Sequence, residues 1–344
     1  MRRLIRALPA LWLLGLAACG LTQSGVDRRA ASPAPLPELA LDSRERLLVV
    51  APHPDDELLG CGGLVMRVRE EGGRADVVYL TQGDGYVEGV VLETHDPQPR
   101  PEEFVEYGEW RRRETLGVLT LLRLPEDAAH FLGFPDGGLR ELWERRFSDT
   151  HPYRSRTTQA ERVPYPDLLA TGAPYSGRRL TRELRRLLRE HRPTLLAIPD
   201  PRDRHPDHSA AGLFALEALE ELRAAGADEA DAPRPRVVTY LVHWPGWPDL
   251  AAEPPPPLAP PASLIAAPIS WVSLPLTPQQ SADKLHALHV YKTQVDVMGA
   301  FLDRFYRSNE LFGVFEQDPP PTAQELAPLG RPLAPAATAG ATGR

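Results

Sequence analysis

The 344-residue sequence predicts an α/β fold, in which helices cover a mostly parallel sheet. Short apolar runs alternate along the chain with longer segments of helical periodicity, and this alternation is typical of such sheets. The composition fits, because 42% hydrophobic residues are enough to form a sizeable core. Two charged, histidine-containing motifs directly follow apolar runs, at the strand ends where open sheets of this kind bind ligands.

The predicted elements follow one another from residue 46. They are the strand "RLLVVA", a helix from Glu57, the strand "ADVVYLT", a helix near 102–123, the strand "AHFLGF", a helix near 178–191, the strand "TLLAIPD" and the helix "SAAGLFALEALEEL". The proline-rich segment 245–262 interrupts the later pattern, so it is predicted to be a surface insertion. Together the elements predict a single domain.

The two ends of the chain differ in composition from this domain. Residues 1–18 combine a basic start, a short apolar stretch and small residues, which is the layout of an export signal. Their apolar part is too short to span a bilayer. Residues 19–42 are rich in Ala, Pro and Ser and are predicted to be a tether. Residues 43–317 are the predicted folded domain, and residues 318–344 lack apolar periodicity, so they are predicted to be disordered.

The stretch "LAAC" at Leu16–Cys19 resembles the lipobox of bacterial lipoproteins. The resemblance implies cleavage before Cys19 and a lipid-modified N-terminus, which would anchor an exported protein to a membrane of the cell envelope. The alternative is an ordinary secreted protein in which Cys19 is incidental. Under the lipoprotein interpretation only Cys61 remains as a free thiol, so the mature chain can form no internal disulfide.

The charge of the chain argues against nucleic acid as a partner. The formal net charge is -8, whereas phosphate contacts need a basic face. Basic clusters such as "EWRRRE" alternate with acidic residues at helical spacing, so we interpret them as solvated helix faces.

Two short motifs place histidine and aspartate together before predicted helices. "HPDD" contains His53, Asp55 and Asp56, and "HPDH" occupies 205–208. Capping of a helix start would explain one aspartate, but not two with a histidine. If the topology brings the motifs together, they supply the imidazoles and carboxylates that suit a catalytic zinc with an open position for water.

The segments "PHPDDELLGCGG" and "HPDH" together resemble the two signature motifs of the LmbE-like or PIG-L family of zinc-dependent N-acetylglucosaminyl deacetylases. Further segments match the family in order: "RRRE" at 111–114, "FLGFPDGGL" at 131–139, "DKLHALHVYKTQ" at 283–294 and "ELFGVF" near the end. The resemblance spans nearly the whole predicted domain. It implies a Rossmann-like fold and hydrolysis of an acetamide to a free amine and acetate.

The resemblance also implies roles for the residues of the two motifs. The implied zinc ligands are His53, Asp56 and His208. This donor set suits zinc and ferrous iron alike. The implied catalytic residues are Asp55 as general base, His205 to stabilise the oxyanion or protonate the leaving amine, and Asp207 to orient His205 and raise its pKa.

Four further residues are candidates for substrate binding. By resemblance, Arg111 contacts the sugar, although it could instead form a helix-surface ion pair with Glu114. Asp136 matches an aspartate near the substrate, although it could simply form the turn before a glycine. Asp84 could face the crevice or serve only a "GDG" turn. His243 ends an apolar run and could line the crevice.

The other histidines carry no motif. His286 and His289 are spaced for one helix face, but no acid or cysteine pattern supports a metal site there. The remaining ones are His95, His130, His151 and His191.

The sequence therefore predicts an exported, membrane-anchored zinc amidohydrolase that acts on an N-acetylated sugar or glycoconjugate. One alternative is a metal-dependent ester or phosphoester hydrolase, which uses the same activation of water. Another is a non-catalytic glycan-binding lipoprotein, but every expected catalytic position is filled. Segments 86–101 and 245–262 match no family role, so we expect substrate specificity to lie there. The sequence makes no prediction of the oligomeric state.

Overall fold

The structure is a computed structural model that describes residues 35–225, 234–250, 252–265, 269–316 and 319–330. From Leu36 onwards the described residues belong to one compact unit. The predicted signal peptide (1–18), the lipidation site Cys19 and the tether up to residue 34 lie outside the described residues. None of the helices in the described ranges combines the length and the apolar character that crossing a membrane requires.

The strands form one seven-stranded sheet in the described part of the chain. They are β1 (Arg46–Ala51), β2 (Arg74–Thr81), β3 (Ala129–Phe134), β4 (Leu195–Pro199), β5 (Arg236–Tyr240), β6 (Ile269–Pro275) and β7 (Asn309–Phe315). Their order across the sheet is β3-β2-β1-β4-β5-β7-β6. Strands β1 to β5 are parallel, whereas β7 runs antiparallel to both of its neighbours, β5 and β6. The predicted mostly parallel sheet is thus confirmed.

Helices cover both faces of the sheet. They are α1 (Asp56–Glu70), α2 (Val87–Thr94), α3 (Pro101–Leu121), α4 (Leu139–Glu144), α5 (Gly177–His191), α6 (Pro206–Ala225), α7 (Pro278–Leu288), α8 (Lys292–Leu302) and α9 (Ala323–Leu326). Helix α7 packs on α1 and α3, whereas α4, α5 and α6 pack on one another. Because α1 and α6 both contact β1, the central strand is covered by both helical groups.

The central strand β1 shows why this part of the sequence folds as it does. Its four residues Leu47–Val50 are all buried, although successive side chains point to opposite faces of a strand. A strand that is apolar on both faces needs helices on both sides, and each buried leucine or valine contributes about 1.5–3 kcal/mol.

The strand order positions both histidine motifs. Strand β1 pairs in parallel with β2 on one side and with β4 on the other, so the chain reverses its winding between β1 and β4. Open α/β sheets form their ligand crevice at such a point, at the carboxyl ends of the strands. The motif beginning at His53 follows β1, and the motif at 205–208 follows β4.

The folded part extends beyond the predicted bounds of 43–317 at both ends. The backbone amide of Leu39 donates to the carbonyl of Ser273 at 2.8 Å, and the Leu39 side chain is buried. Near the other end, Ala323 and Leu326 in α9 join the hydrophobic core. A helix of four residues is too short to show apolar periodicity, which explains why the sequence pattern did not reveal it.

Candidate metal centre and active site

The first motif lies in the turn between β1 and α1. The hydroxyl and the amide of Thr81, at the end of β2, donate to the carbonyl of Pro52 at 2.9 and 3.0 Å, which fixes the turn to the neighbouring strand. Asp55 precedes the helix with a φ of 109°, in the left-handed region. This conformation costs a non-glycine residue about 1–3 kcal/mol, and such strain is common at functional sites.

His53, Asp56 and His208 converge in the way predicted for metal ligands. Nδ1 of His53 lies 3.0 Å from Oδ2 of Asp56, and Nε2 of His208 lies 3.1 Å from the same oxygen. All three residues are buried. Neither ring nitrogen of His208 has a hydrogen-bond partner among the described residues, although both are buried. Two imidazoles and a carboxylate meet at one point, as metal ligands do.

Asp203 supports this centre, and the sequence reasoning missed it. Its Oδ2 lies 3.6 Å from Nδ1 of His208. The same carboxylate accepts hydrogen bonds from the backbone amides of Val242, His243 and His205 at 2.8–3.0 Å. Because 3.6 Å is beyond hydrogen-bond distance, Asp203 places a fixed negative charge behind His208 without a hydrogen bond to its ring. The sequence contained a hint of this role, because Asp203 is an acidic residue two positions before the "HPDH" motif.

Asp55 has a different environment from its neighbour Asp56. Its Oδ2 lies 3.2 Å from Nη2 of Arg111, and its backbone amide donates to Oε2 of Glu57 at 3.1 Å. Burial raises the pKa of Asp55 to about 8, against the opposing effect of the Arg111 guanidinium. Oε1 of Glu57 in turn accepts a 2.6 Å hydrogen bond from the hydroxyl of Tyr291. Glu57 and Tyr291 were also missed, although Glu57 directly follows the motif.

Arg111 is buried, so the alternative of a surface ion pair with Glu114 is excluded. Its guanidinium donates to the carbonyls of Pro54 and Gly83 and faces Asp55. Glu114 instead accepts hydrogen bonds from the amide and hydroxyl of Thr293 at 2.9 and 2.6 Å. Arg111 also lines the cavity described below, so its predicted contact with substrate stays a prediction.

The carboxylate of Asp207 is hydrogen-bonded to groups other than the ring of His205, and its role in orienting that ring stays a prediction. Its carboxylate accepts hydrogen bonds from the amides of Gly137 and Leu139 at 2.7 and 3.0 Å and lies 3.4 Å from Nε2 of His53. No hydrogen bond joins this carboxylate to the ring of His205 in the described residues. Instead the backbone amide of Asp207 donates to Nδ1 of His205 at 3.3 Å. The side chain at position 207 therefore anchors the turn before α4.

The surroundings of His205 lower its pKa overall, although Asp207 acts in the expected direction and raises it. Burial, together with the nearby His53 and His208, lowers the pKa of His205 to about 4. The imidazole is therefore neutral near pH 7. Because Nδ1 accepts a hydrogen bond from the backbone, the ring proton resides on Nε2.

Like Arg111, the predicted substrate-binding residues Asp136 and His243 line the cavity beside the metal ligands. Oδ1 of Asp136 lies 3.1 Å from Nε2 of His53, and its Oδ2 accepts from the amide of Gly85 at 2.8 Å. His53 outweighs the effect of burial and lowers the pKa of Asp136. The ring of His243 stacks on Phe301 at 5.3 Å and lies 4.6 Å from the ring of His208.

Asp84 does not face the crevice as expected. It is 1% exposed and lies behind the cavity wall. Its Oδ2 accepts a 2.6 Å hydrogen bond from the hydroxyl of Tyr165, and Oδ1 accepts a 3.4 Å bond from the amide of Asp136. Both oxygens are thus used inside the protein. Asp84 supports the loop that carries Asp136.

One cavity of about 320 Å³ lies beside the metal ligands. It is lined by His53, Asp55, Asp56, Leu59, Gly85, Tyr86, Arg111, Asp136, Gly137, His205, His243, Gln294, Met298 and Phe301. Polar groups occupy the side of the metal ligands, whereas Tyr86, Met298 and Phe301 provide an apolar wall. Tyr86 comes from the segment 86–101 that the sequence could not interpret, and the other two come from α8.

The residues fit a divalent metal ion. The buried nitrogens of His208 face carboxylates but make no hydrogen bond, and Nε2 shares the oxygen of Asp56 with His53, as a ligand set does when its ion is absent. Two nitrogens and one oxygen match the three protein ligands of a catalytic zinc site, and the adjacent cavity provides room for a fourth ligand.

Comparisons with known proteins agree with this site. A diacetylchitobiose deacetylase of Thermococcus kodakarensis is 27% identical over 180 residues, which are 51% of this chain and 49% of that protein. A 1D-myo-inositol 2-acetamido-2-deoxy-alpha-D-glucopyranoside deacetylase of Mycobacteroides abscessus is 31% identical over 179 residues, which are 51% of this chain and 56% of that protein. The chain thus spans about half the length of the curated relatives it matches.

A solved structure shares the fold. The zinc-inhibited form of a teicoplanin deacetylase superposes with a TM-score of 0.50 and 19% identity, over 79% of this chain and 99% of that chain. The sequence model of the PIG-L family, described as GlcNAc-PI de-N-acetylase, matches residues 48–219, which include both histidine motifs. The resemblance found in the sequence is confirmed, and the chain belongs to the PIG-L family.

Proposed function

We propose that the chain is a metal-dependent N-deacetylase that hydrolyses the acetamide of an N-acetylated sugar or glycoconjugate to a free amine and acetate. The observation that carries the proposal is the convergence of His53, Asp56 and His208 beside the separately held carboxylate of Asp55. His53, Asp55 and Asp56 line one cavity. The family membership and the deacetylases among the relatives support it.

The metal would be held by His53, Asp56 and His208. Zinc suits this donor set, and ferrous iron suits it as well. When bound, such an ion polarises the amide carbonyl and lowers the pKa of a water molecule towards neutrality.

Asp55 is the general base of the proposed reaction. Arg111 and the hydrogen bond from the Asp55 amide to Glu57 fix its orientation. Burial raises the pKa of Asp55 to about 8, but a cation bound to the neighbouring Asp56 would favour the ionised carboxylate, which can then accept a proton from the attacking water. As the carbon–nitrogen bond breaks, the protonated Asp55 can return that proton to the leaving amine. Acetate and the free amine result, and the base is regenerated.

His205 stabilises the oxyanion that develops on the amide carbonyl. The backbone bond to Nδ1 leaves Nε2–H as its donor, and the ring lines the cavity. A neutral imidazole with its proton on Nε2 can donate a hydrogen bond to this oxygen, and fixed donors of this kind are large contributors to catalysis.

The cavity also supports a sugar as the substrate. Arg111, Asp136 and Gln294 offer polar groups that can bind hydroxyls, while Tyr86, Met298 and Phe301 offer an apolar surface for a ring face. The two named relatives are deacetylases of a chitobiose and of a glucosamine–inositol conjugate. This mixture of surfaces fits an N-acetylated glycoside.

We further propose that the protein acts at a membrane of the cell envelope. The support is the export signal in 1–18 and the lipobox-like stretch that ends at Cys19. Without lipidation the protein would be secreted.

Acetate release tests the proposed activity. The zinc-loaded chain is incubated with a panel of N-acetylated sugars, N-acetylated glycolipids and matched O-acetyl esters, and released acetate is measured. We expect acetate from at least one N-acetyl substrate and none after removal of the metal by a chelator. Release from the esters alone would overturn the assignment in favour of an ester hydrolase, and release unaffected by the chelator would overturn the metal dependence.

A further inference from the structure

A second cluster of metal-binding side chains lies away from the cavity. It consists of Asp76 near the start of β2, His130 near the start of β3 and His191 at the end of α5. In the parallel pairing of the two strands Val78 lies opposite His130. Asp76 therefore shares a sheet face with His130, because side chains two residues apart point the same way. The cluster sits at the amino ends of the strands, whereas the cavity lies at their carboxyl ends.

The three side chains point their ligand atoms at one another. Oδ1 of Asp76 lies 3.3 Å from Nε2 of His130 and 3.4 Å from Nδ1 of His191. The two imidazole rings are 4.4 Å apart. Most hydrogen bonds between nitrogen and oxygen are shorter, about 2.7–3.2 Å. Metal–ligand bonds of about 2.0–2.2 Å in a tetrahedral zinc site place neighbouring ligand atoms about 3.3–3.5 Å apart, which matches both separations.

The catalytic ligand set provides an internal comparison. There, too, one carboxylate oxygen lies between two imidazole nitrogens, at 3.0 and 3.1 Å. The second cluster repeats the same residue types, one carboxylate oxygen between two imidazole nitrogens, on different elements of the fold and with wider separations. In the described residues three groups of histidines and carboxylates converge in this way: two share His53 at the cavity, and the third is this cluster.

The surroundings of the cluster favour a cation that can enter from solvent. His191 is the last residue of α5, and the carboxyl end of a helix attracts positive charge. Hydrogen bonds from His130 and His191 outweigh burial and keep the pKa of Asp76 below its usual value. The side chains of His130, Asp76 and His191 remain 11%, 10% and 14% exposed, so water can occupy a further coordination position.

We propose that Asp76, His130 and His191 form a second metal site, which binds a divalent transition ion of the zinc class. The ion links β2, β3 and the end of α5 at the side of the sheet opposite the catalytic cavity. This site does not depend on the proposed deacetylase activity, and its test is the metal content of the chain.

The test uses the full chain without an affinity tag, stripped with a chelator and dialysed against zinc. Zinc per chain is read by elemental analysis. Among the described residues, both groups of possible metal ligands at the cavity contain His53. The His53→Ala variant therefore disables the cavity site and reports the second site alone. We expect it to retain one zinc ion, and we expect His53→Ala with His191→Gln to retain none. His286→Gln, which removes an exposed helix histidine, is the matched control and should change nothing.

A second measurement separates loss of a ligand from loss of folding. Asp76→Asn keeps the size of the side chain but weakens the ligand, so it should lower zinc affinity at least tenfold in the His53→Ala background. Cobalt bound to that background should give the intense visible absorption of a low-coordinate site with nitrogen and oxygen ligands. Absence of zinc and of the cobalt spectrum from His53→Ala would overturn the proposal. The three residues would then form a hydrogen-bonded cluster in which Asp76 accepts from both imidazoles.

Discussion

The adjacent aspartates Asp55 and Asp56 have different environments although they are neighbours in sequence. Asp56 begins α1 and faces the two imidazoles, whereas the left-handed backbone at Asp55 directs its carboxylate to Arg111. The motif alone predicted the residue types of the site. Their separate roles came from the family resemblance, because the partner of Asp55 lies on α3, far along the chain. Tyr291 escaped prediction for the same reason, because its partner Glu57 lies far from it in the chain.

Removal of either histidine ligand is expected to empty the metal site. His53→Ala and His208→Ala each leave two of three protein ligands, which is too few to hold the ion in an open shell. Both variants are made in the His191→Gln background, which removes zinc from the second site. Elemental analysis should then show less than a tenth of the zinc found in the His191→Gln protein alone. Full retention in either variant would place that histidine outside the ligand set.

The buried Asp84 should make the stability of the protein depend on pH. Burial and the nearby Asp136 raise the pKa of Asp84 to about 7, above its unfolded value of 3.8. The folded state therefore holds this proton to higher pH, so the contribution of Asp84 to stability falls as the pH rises from about 4 to about 7.

Asp84→Asn cannot ionise, and its amide oxygen can still accept from Tyr165. We expect the variant to gain stability relative to the wild type between about pH 5 and about pH 8, by a few kcal/mol at most. Denaturant unfolding at both pH values measures this gain. Asp167→Asn, an exposed aspartate, is the control. An equal difference between variant and wild type at both pH values would contradict the assignment.

At the scale of elements, strands β1 to β4 and the long helices α1, α3, α5 and α6 could be predicted because each carries a clear apolar pattern. The antiparallel pairing of β7 with β5 could not be predicted, because it joins segments on either side of the insertion. The short α2 was also hidden, although Tyr86 before it lines the cavity. Substrate-facing surfaces therefore come from the segments that sequence periodicity describes least well.

One glycine between β2 and α2 is needed for this arrangement. Gly83 has a φ of +66°, and a Cβ there would lie 1.8 Å from Nη1 of Arg111. We expect Gly83→Ala to displace Arg111 and to lower both the free energy of unfolding and turnover. Gly172→Ala is the matched control, since its φ is +71° with no atom within 4 Å of the new Cβ. The control should cost only the backbone strain of about 1–2 kcal/mol. Equal losses in the two variants would contradict the role of Gly83.

At the scale of the whole molecule, the reversal between β1 and β4 creates the site. Two motifs about 150 residues apart follow adjacent parallel strands, so their side chains meet without any local signal of proximity. The sequence indicated this convergence through the α/β pattern. It could not indicate the Asp76, His130 and His191 cluster, because these residues lie singly on three elements and form no motif.

The location of the molecule is a separate prediction. If Cys19 becomes the lipidated N-terminus, Cys19→Ser should release the protein from the membrane fraction, because the acyl chains supply the anchoring free energy. Fractionation and mass spectrometry of the mature N-terminus measure both effects. Cys61→Ser, which alters the buried thiol, is the control and should leave the location unchanged. A membrane-bound Cys19→Ser variant, with no acyl mass on the wild type, would contradict the lipoprotein prediction.

The central claim is that Asp55 is the general base and Asp56 is a metal ligand, and substitution of each aspartate tests it most directly. Zinc content and acetate release are measured together for Asp55→Asn and Asp56→Asn, on a substrate that the wild-type chain deacetylates. Asp55→Asn keeps the shape of the side chain but cannot accept the proton, so it should retain zinc and lose turnover by roughly 10²- to 10⁴-fold. Asp56→Asn should lose zinc first. Loss of zinc in Asp55→Asn with retention in Asp56→Asn would reverse the two roles, and near wild-type turnover in Asp55→Asn would contradict the assignment of the base.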